Sequence, residues 1–229
     1  QSPWQIIVFL YLLTTIYITI SGIRGVIFTD FLQFFVALFG SFVVMYYAVN
    51  HDAVGGIKNL VSNLYLSEQY SNHLNFLPSF KEGSTITLLM FCVYAAVQWW
   101  STWYPGAEPG GGGYIAQRMF SSKTDKDALK ASFLFNIFHY AVRPWPWIIT
   151  ALCILFIYPI TDPNSILKTD AEISYAYFMI DFIPSGLRGL LIVAFLSAFM
   201  STVSTQINWG SSYIVNDFYA RFIRKKDSF

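Results

Sequence analysis

Residues 187–215 read LRGLLIVAFLSAFMSTVSTQINWGSSYIV. The run exceeds the roughly 20 apolar positions with which a helix crosses a bilayer core. Within it, Ser197, Ser201, Thr202, Ser204, Thr205, Asn208 and Ser212 fall on about half of the helix circumference at 3.6 residues per turn, forming one polar stripe. The stripe has two readings. Small and hydroxyl residues let membrane helices pack closely and bond back to their own carbonyls. The same oxygens can also replace the water shell of a hard cation, giving a weak and releasable Na⁺ site without a full counter-charge.

Four further spans lie outward from this one, at about 4–20, 26–49, 84–104 and 131–158. The composition agrees: of 229 residues, 55% are hydrophobic and only 12% charged, whereas soluble domains carry about 25% charged residues. Mean hydropathy is +0.48. The fold class is therefore all-α, a polytopic membrane protein whose residues 1–229 form a single transmembrane domain. A net charge of +1 leaves no electrostatic footprint for nucleic acid. Cys92 and Cys153 fall inside apolar runs and read as packed thiols. Residues 1–5 have no basic n-region and no cleavage site, so the chain is expected to begin in mid-protein rather than with a signal peptide.

The connectors set the orientation through their lysines and arginines. Arg118, Lys123, Lys126 and Lys130 crowd the third connector, and Arg221, Arg224, Lys225 and Lys226 the tail. Both are expected to be cytoplasmic, in an inner or plasma membrane, with the long second and fourth connectors outside and the chain starting outside. Trp4, Trp145 and Trp147 stand near span ends, where interfacial aromatic rings are favoured. YPGAEPGGGG at 104–113 cannot continue a helix, so a break is expected near 105–113. No Gly-Lys-Ser or Gly-Lys-Thr follows and no strand precedes it, so it is not a phosphate-binding loop. A kink is expected at 144–146, where Arg143 precedes Pro144-Trp145-Pro146; the arginine's five donors suit the carbonyls that the prolines release.

The second span carries FTDFLQ, with Asp30 and Gln33 about one turn inside the boundary. A carboxylate there either snorkels to the interface or is paired, hydrated or bound to an ion. His139 is the most apolar-flanked titratable group of the fourth span, three residues from Asn136, and reads as a structural histidine or a proton relay. Gln98, Trp99, Trp100, Trp103 and Tyr104 precede the glycine-rich break. They suit stacking against a polar solute or sugar ring, and equally an interfacial belt. An enzyme is excluded by the lack of HExxH, GxSxG or paired carboxylates in one span.

FTDFLQ after a short glycine-containing turn, YIAQR before a charged connector, and SAFMSTVSTQ followed by NDFYARF together resemble the sodium:solute symporter family over essentially the whole chain. The resemblance implies the LeuT-type fold, two inverted five-helix repeats with solute and Na⁺ at mid-membrane, of which this chain would supply core helices four to eight. The remaining helices of a full-length transporter would be its partners. It also implies that the Ala198 carbonyl and the Ser201 and Thr202 hydroxyls bind the main Na⁺. A second Na⁺, as in some relatives, would use Asp30, Ser204 and Thr205, although a residue count puts Asp30 nearer the inner boundary, so that contact requires tilted helices. Two departures, His139 where sugar carriers commonly have lysine and the inserted PGAEPGGGG, keep the solute from being carried over. The expected activity is Na⁺-coupled import of a small polar solute by alternating access: a sugar, polyol, sialic acid or similar organic acid. The alternative is an uncoupled channel or a substrate sensor on the same scaffold.

Overall fold

The computed structural model describes residues 3–75, 77–78, 86–98 and 113–224, and every regular element among them is helical. The longer α-helices are α1 (Pro3–Val49), α2 (Ile57–Leu66), α3 (Leu88–Val93), α4 (Gly113–Phe120), α5 (Asp125–Asn136), α6 (Pro144–Ile157), α7 (Ser174–Phe182) and α8 (Ser185–Tyr213). Among the described residues, three stretches are long and apolar enough to cross a membrane: Trp4–Val49, Asp125–Ile157 and Ser185–Ile223. Leu88–Val97 is a shorter apolar helix, and the rest of the expected third span lies largely outside the described residues. The chain is an all-α polytopic membrane protein.

An unbroken helix of the 47 residues of α1 would run about 70 Å, more than twice the hydrocarbon core. It is instead two rods meeting at Gly22, whose φ of 59° and ψ of −159° lie in a region essentially confined to glycine. A Cβ on nearby Gly25 would collide with the Ser21 side chain. The rods overlap the segments 4–20 and 26–49. Gly22→Ala is therefore expected to destabilise the protein by about 1–3 kcal/mol, read as a lower melting temperature in detergent. An unchanged melting temperature would show that the two rods can meet without this dihedral.

The second rod packs on α8 and α6, burying Val26, Val44 and Ala48. A Cβ on Gly40 would sit 3.0 Å from Leu191 Cδ2 and 3.4 Å from Ala194 Cβ, so here the two helices meet nearly backbone to side chain. α5 and α6 are joined through a π-helical turn, Ile137–Val142, in which Arg143 N–H reaches back to the Phe138 carbonyl. Pro144 then opens α6, where its missing donor costs nothing.

The two long connectors close one end of the bundle together. Leu60 and Leu64 of α2, Tyr70, Phe178 and Met179 of α7, and Ile183 join Val44, Ala48, Cys153, Ile154 and Leu191 in one buried cluster. His51 meets Phe182 edge-on at 4.4 Å, and Tyr70 meets Phe156 at 5.7 Å. Asp30 lies about 20 Å along the helix from Val44, away from this cap. The outward surfaces of the long helices stay apolar and exposed, with Phe28 65% and Phe31 61% accessible. Such faces belong against lipid or further helices.

Candidate cation site

Away from the cap, three helices bring their polar side chains together. Asp30 projects from the second rod of α1, Ser201 and Thr205 from α8, and Arg118 from α4. Ser201 Oγ donates to Asp30 Oδ1 at 2.6 Å. Arg118 Nη2 donates to Asp30 Oδ2 at 2.6 Å and to Thr205 Oγ1 at 2.7 Å. One turn further along α8, Gln117 Nε2 donates to Asn208 Oδ1 at 3.2 Å. The carboxylate is 18% exposed and the guanidinium 31%, so the pair is partly shielded from water, where charge-assisted hydrogen bonds are strongest.

The local sequence explains this convergence. Ser201, Thr205 and Asn208 recur at spacings of four and three and so share one face of α8. Adjacent Gln117 and Arg118 spread over that face from the last turns of α4. On α1, Gln33 lies one turn beyond Asp30 on the same side, and its buried Oε1 has no hydrogen-bond partner. An orphan acceptor beside a carboxylate suits a cation, since buried acceptors otherwise find a donor.

The main-site candidates lie one turn along α8. Thr202 Oγ1 donates to the Ala198 carbonyl at 3.1 Å, a separation that fits two oxygens sharing one hard cation at about 2.3–2.6 Å each. Thr202 is exposed. Ser201 turns its hydroxyl toward Asp30 rather than toward Ala198. Ser204 is fully buried and donates to the Ser201 carbonyl at 2.8 Å. The structure thus joins Asp30 and Thr205 through Arg118 and keeps the Ser204 hydroxyl within its own helix.

Among the solute candidates, Gln98 ends a π-helical turn, Tyr94–Gln98, while Trp99, Trp100, Trp103 and Tyr104 lie outside the described residues. His139 falls in another π turn, Ile137–Val142, stacked on Phe135 at 4.9 Å and edge-on to Tyr140. Phe138 of that turn meets Phe34, one turn past Asp30. The Arg143 guanidinium does not take up released carbonyls: it lies 5.0 Å over the Trp147 ring and 3.4 Å from His139 Nδ1. Further along, the buried Pro146 carbonyl accepts from Thr150 Oγ1, a back-bond within α6. Among the described residues no group of three or more His, Cys, Asp or Glu could hold a metal ion.

The sequence model of the sodium:solute symporter family matches residues 4–228. Sodium/myo-inositol cotransporter 2 from Homo sapiens is 25% identical, the match covering 93% of this chain and 33% of the relative. Solute carrier family 5 member 4B from Mus musculus is 26% identical, over 96% of this chain and 36% of the relative. Solute carrier family 5 member 4 from Rattus norvegicus is 26% identical, over 94% and 35%. The chain thus spans about a third of the length of these relatives. No solved structure matches.

Proposed function

This chain belongs to the sodium:solute symporter family, a family of transporters and not of enzymes, and we propose that it carries the ion-binding half-site of a Na⁺-coupled importer of a small polar solute. The observation that carries this reading is the α8 stripe, whose Thr202 hydroxyl and Ala198 carbonyl stand 3.1 Å apart beside Ser201. These are the three oxygens proposed for the main Na⁺. Asp30 and Thr205, with Ser204 behind them, would take a second Na⁺.

The chain's residues supply coupling through geometry. Ion binding between α8 and the rest of the LeuT-type bundle would stabilise an outward-open state, to which the solute binds before the helices rock inward. Five spans, at about 4–20, 26–49, 84–104, 131–158 and 187–215, with the tail after Val215 in the cytoplasm, would complete the alternating topology. The two long connectors packed over one end of the bundle would then lie outside. Gln98 and His139, each in a π turn of the kind common at functional sites, are proposed to line the solute path with Trp99, Trp100, Trp103 and Tyr104. The relatives named for myo-inositol favour a polyol, ahead of sugars, sialic acids and other organic acids.

The test is uptake of labelled polyols, sugars and sialic acids by full-length protein in proteoliposomes, with Na⁺ replaced by K⁺ or choline. Accumulation of one solute only under an inward Na⁺ gradient is the expected result. Flux that ignores the gradient would overturn coupling and favour a channel.

A further inference from the structure

Arg118 does more than neutralise Asp30. One nitrogen, Nη2, sits 2.6 Å from a carboxylate oxygen of α1 and 2.7 Å from a hydroxyl oxygen of α8. It stands between two oxygens from different helices, as a bound monovalent cation would. The same carboxylate accepts from Ser201 through its other oxygen, so each Asp30 oxygen already takes a donor while Arg118 is in place. Gln33 Oε1, buried and unpartnered one turn away, marks acceptor capacity that the guanidinium does not use.

From this arrangement we infer that Arg118 is a tethered cation that competes with Na⁺ for Asp30 and Thr205. This rests on the proposed Na⁺ coupling and adds a device to it. Two positive charges cannot share one partly shielded carboxylate without strong repulsion, so an ion can reach Asp30 only when the guanidinium leaves. Arg118 sits on the eight-residue helix α4, which also docks on α8 through the Gln117–Asn208 bond. Ion arrival therefore loosens α4 from α8, and ion departure lets Arg118 latch the two helices again. When no ion is bound, the latch spares the protein an uncompensated carboxylate in the membrane, which is costly.

The proposal is tested by ²²Na⁺ binding to the purified full-length protein, comparing wild type with Arg118→Gln and with Asp30→Asn/Arg118→Gln. Arg118→Gln is expected to tighten Na⁺ binding at least tenfold, and the double variant to lose that gain. Hydrogen exchange of residues 113–120 in the wild type is the second readout, with Na⁺ expected to speed exchange there relative to choline. This arm does not depend on any variant folding. Unchanged or weaker Na⁺ binding by a stably folded Arg118→Gln protein overturns the competition, as does sodium-independent exchange of α4. If Na⁺ binds the wild type and is lost on Thr202→Ala while both Arg118 readouts stay flat, the transport reading stands and the competition falls. If the wild type binds no Na⁺, both fall.

Discussion

Thr202→Ala is expected to lower Na⁺-driven uptake at least tenfold while leaving the melting temperature unchanged or slightly raised, and Ser201→Ala/Thr202→Ala to lower uptake at least a hundredfold. The reasoning separates two roles that share one stripe. Thr202 is exposed, and its hydroxyl bonds only to the carbonyl one turn back on its own helix. Removing such a back-bond and replacing a β-branched residue by alanine gains about half a kcal/mol of helix propensity. A packing residue would show the opposite pattern, with stability lost and function following. As a cation ligand, the hydroxyl is instead worth the 1.5–3 kcal/mol typical of a hydrogen bond to a charged group, or roughly ten- to 150-fold in ion affinity. Ser201→Ala is less clean, because Ser201 also donates to Asp30 and some stability goes with it. The measurement is Na⁺-dependent uptake in proteoliposomes with melting curves of the same preparations. Equal losses of stability and transport in Thr202→Ala would return the stripe to helix packing.

The helices were legible in the sequence because their signals are local. Apolar run length pointed to α8 and the α5–α6 stretch, and the prolines pointed to a kink at 144–146, where a π turn ends and α6 begins at Pro144. Which polar groups meet was much less legible. Asp30 and Ser201 are 171 residues apart, and counting residues from the boundary placed Asp30 below the Ser204–Thr205 level. That count treats helices as parallel to one another and normal to the membrane. Here Ser201 of α8 reaches Asp30 of the second rod at 2.6 Å, while Thr205 is joined to it through Arg118. YIAQR was recognisable as a family motif, yet the role of Arg118 did not follow from it. The signal that could have found it is the cost of Asp30 itself: an intramembrane carboxylate needs a cation within reach. Arg143 shows the converse limit. Its five donors suited freed carbonyls, but the guanidinium goes to the face of Trp147 and to His139 Nδ1.

Asp30→Ala is expected to destabilise the protein by about 2–4 kcal/mol, between the small effect of exposed ion pairs and the 3–5 kcal/mol of fully buried ones. At 18% and 31% exposure the pair has lost much of its water, so the substitution removes a close and partly shielded charge partner of the guanidinium. It also removes the acceptor of Ser201. Asp30→Asn keeps the shape and one acceptor oxygen and should lose about half as much. The decisive comparison is the cycle with Arg118→Gln, because removing both charges eliminates the stranded-charge cost that either single change creates. The double variant Asp30→Asn/Arg118→Gln should therefore be more stable than the sum of the single changes predicts, by about 1–3 kcal/mol, as for residues in direct contact. Melting curves in detergent at low and high salt measure this coupling. Salt should weaken it only slightly, since a partly buried pair is poorly screened. Additive losses that vanish at high salt would show that the two groups interact only through solvent, and would leave α4 held to α8 by the Gln117–Asn208 bond without the ion pair.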